Sequence, residues 1–176
     1  MVLFKRYRTR VYNFILNRKL KKLRNKHETC TYLNASSVAV LFDGSKPENM
    51  EPVKRYCQSL RNQNKKAYML CYIEKERPNE ALSFDFLTRK NLNWFFIPDN
   101  SKTDDFIKRQ FDLLINLSTE ECLPLEYLSA LSKSVYRIGR YIPDKTFCFD
   151  FMINLNGKND VNYLIKEIEH YLRIIK

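Results

Sequence analysis

Two groups of residues in this 176-residue chain have types and spacing that could do chemistry. The first is a set of ten cations: Lys5, Arg6, Arg8, Arg10, Arg18, Lys19, Lys21, Lys22, Arg24 and Lys26. They stand within residues 1–27, which contain no acidic residue, and they alternate with Tyr7, Tyr12 and Phe14. Cations interleaved with aromatic rings follow phosphates and stack on bases. The same arrangement suits a helix lying on an anionic bilayer. The formal net charge of +11 belongs to this segment, because the rest of the chain holds 21 basic residues against 20 acidic ones. Such asymmetry points to a polyanionic partner, RNA or a ribosome on one hand and an anionic membrane surface on the other. The competing readings are a solvated helix that keeps the protein soluble, and a helix whose apolar stripe packs on its own domain or on a protein partner.

The second group is positional. In open parallel sheets, ligands bind beyond the carboxyl ends of the strands. The polar residues expected there are Asp43, Gly44 and Ser45 after the first strand, Asp99 and Asn100 after the third, and Ser118, Thr119 and Glu120 after the fourth. Helix starts near Ser45 and Ser118 would offer backbone N–H groups to a phosphate-like anion. The plainer alternative is that Ser45 with Glu48, and Ser118 with Glu121, form S-x-x-E capping boxes, and that Asp43-Gly44 is a turn. No catalytic residue is assigned. The chain lacks G-x-G-x-x-G, G-x-x-x-x-G-K-[ST] and G-x-S-x-G, and has only three glycines, Gly44, Gly139 and Gly157. No metal site and no cofactor are expected, since His27 and His170 stand apart, at surface positions, and the cysteines form no cluster.

The elements that must position these residues follow from periodicity. Residues 2–26 read as a helix in which Leu3, Phe4, Tyr7, Val11, Phe14 and Ile15 share one stripe, while Leu16, Leu20 and Leu23 make a separate short face. Residues 28–36 read as a linker, and 37–176 as a single α/β domain. Strands are expected at 37–42 and 67–73, both buried, and at 94–97 and 113–117, with a short fifth at 135–139 and a strand nearer an edge at 147–155. Helices are expected at 47–63, 103–110, after Ser118, and from about Val161; residues 82–92 read as a short helix or an irregular connection. Alternating strands and helices imply a three-layer α/β/α domain with a mostly parallel, Rossmann-like sheet behind a basic amphipathic helix.

Five cysteines, an odd number with no C-x-x-C pair, fit a reducing compartment. No apolar run reaches the 18 or so residues that span a bilayer. Charges from Lys5 onward interrupt any secretory signal, and the absence of serine before Ser36 argues against a transit peptide. The expected location is cytoplasmic, with peripheral attachment to the inner face of the membrane as a variant.

Residues 111–120 (FDLLINLSTE) and 134–139 (SVYRIG), with the basic start, the Leu41-Phe42-Asp43 strand end and the closing Ile168-Glu169-His170-Tyr171-Leu172, resemble a family of small uncharacterised proteins from Bacteroidota. That resemblance covers most of the chain and transfers no activity. An F-D-apolar strand followed about 20 residues later by R-I-G is also similar to the N-terminal half of heptosyltransferase-like glycosyltransferases, which implies a Rossmann-like topology alone. The resulting expectation is a non-catalytic binding or adaptor protein. The alternatives are a small Rossmann-like enzyme or enzyme remnant, and a structural subunit of an oligomer.

Overall fold

The structure is a computed structural model that describes residues 2–21, 32, 34–74 and 82–174. Its centre is strand β1, Ser37–Asp43, whose residues Val38 to Phe42 have no solvent exposure. Burial on both faces is why this run is continuously apolar. Val38, Val40 and Phe42 pack with one core cluster, and Ala39 and Leu41 with another. Each fully buried large apolar side chain contributes roughly 1.5–3 kcal/mol. β2 (Lys66–Ile73) and β4 (Leu113–Asn116) flank β1, both parallel to it. β3 (Asp85–Thr88), β5 (Tyr136–Arg140) and β6 (Phe151–Ile153) complete a sheet in the order β3-β2-β1-β4-β5-β6. Every pairing within this sheet is parallel, so the chain has the Rossmann-like α/β architecture expected from its alternation.

Helices α2 (Met50–Asn62) and α5 (Val161–Ile174) cover the first cluster's face of the sheet. On the other face, α3 (Ser101–Lys108) contributes Phe106, and α4 (Leu123–Leu131) contributes Leu125 and Leu128. Every residue of α4 is buried. A helix that is apolar all round needs cover on its far side too. That cover is α1, Val2–Leu20, whose Tyr12 and Leu16 are fully buried against Leu123, Tyr127, Ala130 and Leu131 of α4 and Ile142 and Cys148 of the loop after β5. The basic helix therefore adds an outer layer to the three-layer core.

Asp112 fixes the entry to the sheet. Its carboxylate accepts hydrogen bonds from the N–H and hydroxyl groups of both Ser36 and Ser37 at 2.8–2.9 Å. Burial works against its ionisation, but these four donors together prevail and hold its pKa below the ordinary aspartate value.

Three expectations about elements are corrected. Trp94–Ile97 is a turn, not the third strand. Asn93 Oδ1 accepts from the N–H groups of Phe95 and Ile97, Asn93 N–H donates to the Ile97 carbonyl, and Phe96 has φ +63°. A side chain that collects those donors leaves none for a ladder. The third strand is Asp85–Thr88, inside the stretch read as helix or connection, and it is followed by a 3-10 turn at Arg89–Asn91. Finally, the expected stripe divides: Ile15 packs with the Tyr12 and Leu16 cluster, whereas Phe4, Tyr7 and Phe14 are 70, 58 and 68% exposed. The helix expected to run to residue 26 is described to Leu20, and Lys22, Arg24, Lys26, His27 and Cys30 lie outside the described residues.

Candidate functional site: the basic helix and the switch-point crevice

The strand order reverses between β1 and β4, which is where an open parallel sheet leaves a crevice at the carboxyl ends. Asp43, Gly44 and Ser45 leave β1 there, and Ser118, Thr119 and Glu120 follow β4. Their polar groups are largely used within the fold. Asp43 Oδ1 accepts from the Ser45 N–H, and the Asp43 carbonyl accepts from Asn49 Nδ2. Gly44 donates its N–H to the Tyr72 carbonyl. A Cβ on Gly44 would come within 2.3 Å of Cys71 Sγ, so only glycine fits this approach. Lys46 bridges the two loops through a 2.6 Å ion pair with Glu120.

The two capping boxes are not formed. Ser45 Oγ accepts from the Glu74 N–H instead, and the 3-10 turn at Pro47–Asn49 that precedes α2 starts from Lys46 without a side-chain cap. α4 starts from Cys122, also uncapped, four residues beyond Ser118. Asn116 accepts from the Ser118 N–H and donates to Ser129 Oγ, which in turn donates to the Leu125 carbonyl. Prolines at the starts of both helices remove donors that a serine would otherwise serve. Ser118 Oγ is buried without a hydrogen-bond partner. Asp99 and Asn100 follow β3, the edge strand that β2 separates from β1, and Asp99 donates its N–H to the Asn91 carbonyl. Asn100 caps α3 by accepting from the Thr103 N–H, while Asp99 is exposed.

Nucleophilic chemistry is disfavoured at the thiols nearby. Burial pushes Cys71 up to about 12 and Cys122 well above its usual value. Among the described residues, no three His, Cys, Asp or Glu side chains gather as a metal-binding group.

On α1 the fold sorts the expected polyanion-binding cations into two sets. Arg8 turns inward: its Nε donates to the Trp94 carbonyl at 2.6 Å and its guanidinium lies 3.7 Å from the Phe96 ring centroid. Lys19 donates to the Tyr127 hydroxyl. Tyr12 anchors the same side by donating its hydroxyl to the Leu123 carbonyl at 2.8 Å; burial, reinforced by the nearby Glu126 charge, raises its pKa well above normal. Lys5, Arg6, Arg10, Arg18 and Lys21 are exposed and pair with no carboxylate among the described residues.

Sequence reasoning missed the charge cluster beneath the helix. Glu126, 2% exposed, takes Lys145 Nζ at 2.6 Å and Arg140 Nη2 at 3.4 Å. Arg140 Nε also donates to the Glu120 carbonyl, tying the cluster to the crevice loop. The available signal was a lone acid in the otherwise apolar stretch LPLEYLSAL, since a buried carboxylate requires cations nearby.

Comparison with known proteins places the chain in a family. Residues 8–175 match the model of a family of unknown function, DUF6913, and the chain belongs to that family. No curated protein and no solved structure matches it.

Proposed function

We propose that this protein is a non-catalytic binding or adaptor protein that contacts a polyanion, RNA or a ribosome or an anionic membrane surface, through the outward face of α1. One observation carries this reading: Arg6, Arg10, Arg18 and Lys21 are exposed on a helix that has no acidic residue and is held to the domain by its opposite side. Fixed, unpaired cations bind phosphates without first giving up an internal partner. A cytoplasmic protein resting peripherally on the inner membrane face, or on RNA, is the placement this asks for; among the described residues no helix is long and apolar enough to cross a membrane.

The test is a salt titration of the full chain against single-stranded RNA and against anionic vesicles. Affinity for one of them is expected to fall as salt rises, and replacing Arg6, Arg10, Arg18 and Lys21 by Gln is expected to weaken it about tenfold or more. Absence of binding at low salt, or equal binding by the variant, rejects the proposal.

A second reading, a small Rossmann-like enzyme or enzyme remnant, draws on the unsatisfied Ser118 Oγ at the crevice. A clear rise in melting temperature with a nucleotide or sugar nucleotide, lost in Ser118→Ala, is the result that would favour it over the adaptor reading.

A further inference from the structure

We infer that the polyanion is the surface of an anionic phospholipid bilayer, with α1 staying docked on α4 while Phe4, Tyr7, Phe14 and the neighbouring Trp94 enter the lipid interface. This inference rests on the polyanion reading above and adds the class of partner. At 100° per residue, Phe4, Tyr7, Val11, Phe14 and Arg18 fall within about 80° of the helix circumference, and Arg10 and Lys21 border that strip. The strip points away from α4, since Tyr12 and Leu16, on the other side, are the residues buried there. Its three rings are the exposed large apolar groups of α1 among the described residues, and they extend over roughly 15 Å of helix.

Trp94 extends the strip from another element. It is 52% exposed, and its ring centroid lies 5.2 Å from the guanidinium carbon of Arg8, which is one helical turn from Phe4. Tryptophan and tyrosine favour the boundary between headgroups and acyl chains. Phenylalanine rings on a convex helix gain little from a nucleic-acid backbone, whereas they gain from burial in lipid; cations beside them then lie level with headgroup phosphates. Charge complementarity selects an anionic bilayer, because the helix carries no acid to repel it. The inward anchors leave the outer strip free, so binding does not require α1 to leave the domain.

The chain has a single tryptophan, so Trp94 emission reports directly on this surface. The full-length protein is to be sedimented with vesicles of phosphatidylcholine alone and of phosphatidylcholine with roughly 30% phosphatidylserine, with single-stranded RNA measured in parallel. Binding to the phosphatidylserine vesicles is expected, with a blue shift of Trp94 emission and a fraction of binding that survives high salt. Phe4→Ser with Phe14→Ser is expected to lower vesicle binding about tenfold or more while leaving the melting temperature unchanged. Undiminished vesicle binding by that variant, or binding without any change in Trp94 emission, overturns the inference. Binding to RNA but not to vesicles overturns it and leaves the polyanion reading standing. Binding to neither removes both.

Discussion

On its inner side α1 buries Tyr12 and Leu16 completely and commits Arg8 and Lys19 to partners on the domain. On its outer side the same residue types, aromatic rings and cations, remain exposed: Phe4, Tyr7 and Phe14 beside Arg10, Arg18 and Lys21. A cation that has found a carbonyl or a hydroxyl within its own fold is part of the scaffold. One on a rigid element that has found none is available to another molecule. The crevice at the β1–β4 switch point resembles the inner side, because Lys46, Glu120, Asp43 and Ser45 are already engaged with one another or with the backbone.

If the inner side is structural, its largest support is the charge cluster below α1. Glu126→Ala should cost about 3–5 kcal/mol, because it leaves the mostly buried Arg140 without its carboxylate and Lys145 with only the longer 3.6 Å contact to Glu121. Urea denaturation measures this, and a loss below about 1 kcal/mol would show that the cluster does not hold the α4 region together. The comparison between faces is sharpened by a matched pair. Leu16→Ala should cost about 2–5 kcal/mol through the cavity it leaves. Phe14→Ala, two residues away on the open side, should stay within about 0.5 kcal/mol. Equal losses would erase the distinction between the two sides.

The smallest effect concerns a site distant from both. Asp112 has its pKa depressed in the fold, so its stabilisation is complete above the ordinary aspartate value and is lost as pH falls through the depressed one. Asp112→Asn should therefore lower stability by about 1–2 kcal/mol at neutral pH. The gap between the two proteins should narrow below about pH 4. A gap that is constant with pH would mean that the charge of Asp112 contributes nothing.

Much of the fold was legible because burial writes itself into composition. SVAVLF after its serine, and AYMLCYI, are continuously apolar since both faces of the central strands are largely covered, and the structure places β1 and β2 there. The edge strand β3 was not legible: Asp85 faces Tyr68 and Lys102 at the border of the sheet, so the segment lacks the apolar signature. Trp94–Ile97 misled for the opposite reason, as an apolar run whose backbone donors were taken by Asn93. Of the candidate residues, those after β1 and β4 lie on loops joined by the Lys46–Glu120 ion pair, whereas Asp99 and Asn100 follow the edge strand β3.

The sequence by itself determined that the excess charge lies in one helix and that the rest of the chain forms a parallel α/β sheet, because both are properties of local composition and period. Only the tertiary structure decided which side of α1 faces inward. Two apolar faces competed along that helix, and periodicity ranks them by the number of residues that align. The fold chose the one bearing Tyr12 and Leu16, which meets the bare outer side of α4 and gives the Tyr12 hydroxyl the Leu123 carbonyl. Complementarity between surfaces distant in sequence set that choice, and it left the larger aromatic stripe facing outward.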